Sequence, residues 1–295
     1  MKHKELKKHH QIFPKFNNLG KIEGVKKPLI GISLITHGGA NKLLLFFTSL
    51  INSDIMNYSF VMSILENGSD DETILELHNI INNLKKILRK DQKIVINMTP
   101  KTLGVIFSRN YTIHRILSEK KPDYILELHN DMVFPNIWFK TLVDFMETNK
   151  NYAVISPNIF GSDIVEFKNA FKEPISLKTI GPTELVANHP DLIRMKYLEK
   201  TGLYNENLFL QAWEEVELWY RFNKLGYNVG MHNNSIVYHE KAGTRLPLIK
   251  EIEDIYGVKD INRMLCNNLH SDWEEYYKKF NKETEKIIKE LGRKL

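Results

Sequence analysis

A chain of 295 residues that is 42% apolar, 11% aromatic and 26% charged can bury one large core or two smaller ones, which excludes fibrous, collagen-like and wholly disordered classes. One cysteine, Cys266, excludes an internal disulfide framework and a zinc site built on several thiolates, and it points to a reducing, cytoplasmic setting. The net charge of +5 is concentrated at one end: residues 1–27 hold eight lysines and two glutamates while the rest is close to neutral, so a basic groove for nucleic acid is not expected.

The segment 1–27 reads as a basic N-terminal tail, either simply solvated or a weak anchor for an anionic surface or acidic partner, and it carries no apolar stretch of the secretory kind. Leu29-Ile-Gly-Ile-Ser-Leu-Ile-Thr36 is a continuous apolar run rich in β-branched residues, the pattern of a strand buried on both faces of a parallel sheet. His37-Gly-Gly-Ala40 turns the chain into a helix with Leu44, Leu45, Phe47, Leu50 and Ile51 at helical spacing. Residues 58–65 predict a second strand. Ser69-Asp-Asp-Glu72 reads as a capping box, and Ile74, Leu77, Ile81, Leu84 and Leu88 form one face of the helix behind it. A third strand over 93–98, a third helix over 102–117 and a fourth strand over 124–128 continue the alternation. It predicts an α/β fold with a mostly parallel, Rossmann-like sheet flanked by helices, whose ligands bind beyond the carboxyl ends of the strands.

After Pro135 a helix is expected through Met146, then a strand over 153–156 and an irregular stretch over 161–190. A short helix over 197–202 ends at glycine, an amphipathic helix over 213–225 stops at Gly226, and a last strand covers 235–239. From 246 onward the chain reads as a charged, helical C-terminal extension. Its apolar side, Trp273, Tyr276, Tyr277, Phe280, Ile287, Ile288 and Leu291, packs on its own domain or on a second copy of the chain in a homo-oligomer. No apolar run reaches the roughly 18 residues that a membrane span needs. The expected division is therefore 1–27, 28–245 and 246–295.

Three groups of residues stand out chemically. His129 and Asp131, two apart at a strand end, point the same way and could share a divalent cation, or they simply close a turn. Glu214 and Glu215 stand together at a helix start between Trp213 and Glu217. They either complement the helix dipole or present one carboxylate of raised pKa to a cleft as a general base. His239 closes a strand, as a core residue or as a ligand.

In this order the segments resemble the family 2 glycosyltransferases, which have the GT-A fold, over residues 28–245. Ile32-Ser-Leu-Ile-Thr36 is similar to their first strand, and Glu66-Asn-Gly-Ser-Asp-Asp71 to their Asp-Asn-Gly-Ser-x-Asp turn, with Glu66 in place of the aspartate that reads the nucleotide base. Gly104-Val-Ile-Phe-Ser-Arg-Asn110 resembles the segment whose arginine and asparagine lie near the nucleotide. His129-Asn-Asp131 stands where the Asp-x-Asp motif belongs, with only its last acid kept. Tyr197-Leu-Glu-Lys-Thr-Gly-Leu-Tyr204, Phe209 and Trp213-Glu-Glu-Val-Glu-Leu-Trp-Tyr-Arg221 resemble the acceptor-side segments, and Tyr238-His-Glu240 carries the late histidine of the metal shell.

The resemblance implies transfer of a sugar, with inversion, from a nucleotide-sugar donor, usually UDP-linked, to a hydroxyl of a glycan, lipid-linked or protein-linked acceptor. It implies Thr36, Glu66, Asn67, Arg109, Asn110, Asn130 and Asp131 at the nucleotide, and Asp131, His239 and His129 at a divalent metal, Mn2+ or Mg2+, that stabilises the leaving diphosphate. It also implies Trp213 and Glu217 at the substrate and Glu215 as the base, with Glu214 its rival. Such an enzyme of glycan biosynthesis is expected in the cytoplasm, peripheral at the inner face of the membrane. The alternative is a GT-A module that has lost transfer through the His129 replacement and binds nucleotide sugar or glycan within an assembly. A nucleotidyltransferase is disfavoured, because no glycine-rich, lysine-bearing phosphate loop follows the first strand.

Overall fold

The computed structural model describes residues 27–160, 189–208, 213–239 and 261–290. The apolar run read as the opening strand is β1 (Leu29–Thr36), and its position explains its composition: it is flanked on both edges by parallel neighbours, β2 (Ser59–Asn67) and β4 (Tyr124–His129), and seven of its eight residues are buried. Beyond β2 lies β3 (Gln92–Thr99), also parallel. Helices α1 (Ala40–Ile51), α2 (Asp71–Leu84) and α3 (Val105–Glu119) make the crossovers. Gly31 lets α3 approach: a Cβ there would lie 2.8 Å from both Ile116 and Ile125.

The other half of the sheet is mixed. After β4 come the two-residue β5 (Met132–Val133), α4 (Phe139–Thr148) and β6 (Tyr152–Phe160), then β7 (Leu192–Arg194), α5 (Met195–Thr201), α6 (Glu214–Lys224) and β8 (Asn228–His239). The full order is β3-β2-β1-β4-β7-β6-β8-β5, with β7 antiparallel to both β4 and β6, and β5 antiparallel to β8. Strand β8 runs parallel to β6 for longer than the 235–239 expected, because a shift in register between Pro157 and Asn158 absorbs its polar middle.

Two apolar layers cover the sheet. One joins Ile30, Ile32 and Leu34 to Phe46, Leu77 and Phe139; the other joins Ile113, Ile125 and Val154 to Leu218, Phe222 and Trp273. The C-terminal helices α7 (Ile261–Leu269) and α8 (Trp273–Glu290) belong to the second layer, with Cys266 and Trp273 fully buried, so the described part of the extension packs on its own chain. Two local expectations are corrected. Leu44 and Leu45 are exposed, because α1 turns Leu43, Phe46, Phe47, Leu50 and Ile51 inward. Asp70 rather than Ser69 caps α2, accepting from the Thr73 N–H at 2.8 Å, because the Ser69 hydroxyl instead accepts from the Gly38 N–H. Residues 1–26, Phe209, Glu240, Leu291 and the stretch 161–188 lie outside the described residues, as do the side chains of Ile287 and Ile288. Among the described residues, no helix is long and apolar enough to cross a membrane.

Candidate active site

The carboxyl ends of β1, β2 and β4 meet at one rim. Thr36 and Glu66 are register partners, and both are fully buried. Glu66 Oε1 accepts from the Ser69 N–H at 2.8 Å, so the turn after β2 closes on its own carboxylate. In that turn Gly68 has φ +79°, and a Cβ there would meet the Lys101 backbone at 2.6 Å. The Asn67 amide is used in both directions, donating to Thr102 Oγ1 at 3.1 Å and accepting from the Leu103 N–H at 2.8 Å, which ties β2 to the loop before α3. Asn130 Nδ2 donates to the Gly38 carbonyl at 2.9 Å and holds the β1 turn against the end of β4.

Beyond His129 the chain turns into β5, whose pairing sets Met132 opposite His239. This register brings Asp131 Oδ1 within 3.2 Å of His239 Nε2. One ligating atom from each of His129, Asp131 and His239 lies within 4.8 Å of the others. Burial pushes the Asp131 carboxyl up, but His239 beside it outweighs that and holds it below the usual carboxylate range. Burial, helped by Arg109, pushes His129 down to about 3, so its ring is neutral near pH 7. An ionised carboxylate with two imidazoles fits a divalent cation.

Arg109 stands between this cluster and α6. It is 1% exposed, with Nη2 2.7 Å from Glu215 Oε1 and 3.3 Å from His129 Nε2, and Nη1 3.4 Å from Glu214 Oε1. Its guanidinium lies over the Tyr204 ring at 5.0 Å, and its Nε is 3.9 Å from Glu127 Oε2. Burial alone would lower its pKa, but Glu215 and Glu127 raise it well above the ordinary value, so it stays charged. Asn110 likewise faces inward, pairing with the Tyr204 backbone at 2.9 and 3.0 Å and with Glu206 at 2.8 Å. Both are buried, at 1% and 4% exposure, and they tie α3 to Tyr204 and to the start of α6.

Glu214 and Glu215 open α6, whose first turn also contains Glu217; anions there complement the helix dipole. The turn into α6 is made by Trp213 at φ +67°, with its ring edge-on to Tyr277 at 5.1 Å. Of the paired acids, the Glu215 side chain keeps 20% exposure and that of Glu214 5%. The expectation for Glu217 is corrected: it is fully buried, and its oxygens take Arg221 at 3.0 and 2.9 Å and His270 at 2.9 Å, which leaves no surface for a substrate.

The sequence reading missed Glu127, His189, Asp191 and the side chain of Tyr204. Glu127 had a legible signal, an acid inside the otherwise apolar Tyr124-Ile-Leu-Glu-Leu128. It is 1% exposed, and burial pushes it up to about 7 although Arg109 opposes this.

The sequence model described as Glycosyl transferase family 2 matches residues 32–252. No curated protein matches the chain. A crystal structure of GalNAc-T7 with UDP, GalNAc and Mn2+ is similar at a TM-score of 0.57 and 14% identity, covering 72% of this chain and 43% of that one. The mannosyltransferase PcManGT from Pyrobaculum calidifontis, in complex with GDP-Man and Mn2+, is similar at a TM-score of 0.54 and 11% identity, covering 78% and 62%. The chain thus spans less than two thirds of either protein. At these identities the likeness shows the fold, and it is the expected GT-A arrangement.

Proposed function

The chain belongs to glycosyl transferase family 2, and from that premise we propose that it is an inverting, metal-dependent glycosyltransferase moving a sugar from a UDP-linked donor to a hydroxyl of a glycan, lipid-linked or protein-linked acceptor. The observation that carries this reading is the grouping of His129, Asp131 and His239 on one side of Arg109 with Glu215 on the other. Thr36, Glu66, Asn67 and Asn130 shape the rim that receives the nucleotide. Asp131, His239 and His129 hold the divalent ion, which when bound supplies positive charge for the leaving diphosphate. Glu215 takes the proton from the attacking hydroxyl, in preference to Glu214, because its side chain keeps the greater exposure to solvent and hence to an acceptor. Arg109 fixes that carboxylate through Oε1. Trp213 borders the acceptor side. Residues 28–245 carry the transfer, flanked by the basic tail 1–27 and the extension 246–295, and the enzyme works in the cytoplasm at the inner face of a membrane.

A second reading is favoured by one contact. Arg109 Nη2 lies 3.3 Å from His129 Nε2, and a ring nitrogen that accepts from a guanidinium cannot also ligate an ion. On that reading the chain is a module that binds nucleotide sugar without transferring it. A thermal-shift panel of UDP, GDP, CMP and dTDP, each with and without Mn2+, tests both readings on wild type, Asp131→Ala and His239→Ala. Ligand at about 100 times its Kd stabilises by about 2.7 kcal/mol. The expected result is stabilisation by UDP that requires Mn2+ and disappears in both variants, together with metal-dependent release of sugar from a UDP-sugar. Uptake of UDP with no sugar release would establish the binding module, and no response to any nucleotide by folded protein would remove both readings.

A further inference from the structure

Beside the cluster of His129, Asp131 and His239 lies a second set of ligating side chains that the proposed transfer does not use. Glu127 on β4, Asp191 just before β7, and His189 each bring one ligating atom within 4.8 Å of the other two. The Glu127 N–H donates to the Asp191 carbonyl at 3.0 Å, so the junction of β4 with β7 fixes the spacing of the two acids. The rings of His189 and His129 lie 4.2 Å apart, and the two clusters share that wall.

The two carboxylates are held from outside in the way metal ligands usually are. Ser156 Oγ donates to Asp191 Oδ1 at 2.6 Å and Trp219 Nε1 to Oδ2 at 3.1 Å, while the Tyr204 hydroxyl donates to Glu127 Oε2. What these bonds leave over is specific. Glu127 Oε1 and both ring nitrogens of His189 are buried and have no hydrogen-bond partner among the described residues. Buried polar atoms are rarely left in that state, because each forfeits its hydration without replacement. Arg109 stands close by, with its Nε 3.9 Å from Glu127 Oε2 and its Nη atoms on Glu214 and Glu215.

We propose that Glu127, Asp191 and His189 form a second divalent-cation site, suited by its mixed imidazole and carboxylate donors to Zn2+ or Mn2+, that ties β4 to β7. This inference does not depend on the transfer reaction. It is tested on full-length, metal-free protein loaded with Zn2+ or, separately, Mn2+, desalted and assayed for metal per chain.

The decisive background is Asp131→Ala/His239→Ala, which removes the first cluster. It is expected to retain one equivalent, with a single imidazole among oxygen ligands in the X-ray absorption spectrum of the Zn2+ form. Adding His189→Ala, or Glu127→Gln of the same shape, is expected to abolish that equivalent. A folded double variant that holds no metal overturns the proposal, as does metal that survives both further changes. Should the double variant not fold, the single changes His189→Ala and Glu127→Gln are compared with wild type; loss of one equivalent supports the site and an unchanged count overturns it. Failure of the transfer reading would show instead as absent nucleotide response with this equivalent intact.

Discussion

Arg109 joins both sides of the site, and its burial decides what its loss does. A guanidinium that is 1% exposed and faces three glutamates cannot be removed without leaving buried charge uncompensated. Breaking such an arrangement from one side typically costs about 3–5 kcal/mol. We expect Arg109→Met to lose about that much in urea unfolding, and Arg109→Lys to recover part of it, since an ammonium keeps the charge but cannot fork to Glu214 and Glu215 together. Glu215→Gln should behave oppositely. With 20% side-chain exposure it should cost little stability but lower kcat by about 10²- to 10⁴-fold at nearly unchanged KM, while Glu214→Gln should cost stability first. Steady-state kinetics beside unfolding curves would separate the two, and equal kcat losses at equal stability would remove the preference for Glu215. His129, Asp131, Glu215 and His239 were legible in the sequence because each ends or starts a recognisable element. Asp191 and His189 were not, because neither lies in a recognisable element, and they come beside Glu127 only when β7 pairs with β4.

Among the elements, the C-terminal helices offer their own reporter. Cys266 on α7 is fully buried, and burial pushes its thiol up to about 12, so raising the pH to 8.5 should not make it react in the folded protein. Trp273, at the start of α8, is fully buried against Tyr220 at 5.4 Å. Trp273→Ala should cost about 3–5 kcal/mol and expose the thiol to a colorimetric disulfide reagent well before the sheet unfolds. Simultaneous labelling and loss of sheet signal would show instead that these helices do not undock separately. The same junction has a pH sign. Lys224, then the Tyr220 hydroxyl, hold the Asp272 carboxyl down to about 2 from 3.8, so the stabilisation is complete above the ordinary value and is lost as pH falls toward 2. Near-UV circular dichroism from pH 5 to 2 should therefore show aromatic packing loosening at the acid end, less so in Asp272→Asn. These helices were visible in the sequence as an apolar stripe among charges, whereas the partner that covers the stripe was not, because periodicity reports a buried face and not what buries it.

For the whole molecule, the sheet divides into a half that was legible in full and one that was legible only in part, for a physical reason. Strands β3, β2, β1 and β4 are parallel and, β1, β2 and β4 especially, covered on both faces, so their sequences are near-continuous apolar runs. In the other half β7 has three residues and β8 breaks register at a polar stretch, which leaves too little pattern to read. The charge distribution is a property of the whole chain, and it yields a prediction independent of the fold. Eight lysines against two glutamates in residues 1–27, beside a nearly neutral remainder, make a localised cation, and each basic residue near an anionic bilayer contributes about 1 kcal/mol. Full-length protein should therefore sediment with vesicles containing phosphatidylserine at low salt and be released as salt shortens the Debye length to a few ångströms. A chain lacking residues 1–27 should stay in the supernatant at every salt concentration, and from the described fold it loses only the Lys27 contacts with the Asn57 carbonyl and the Tyr58 ring. Equal binding with and without the tail would move the membrane contact to the folded domain and leave the lysines as solvation alone.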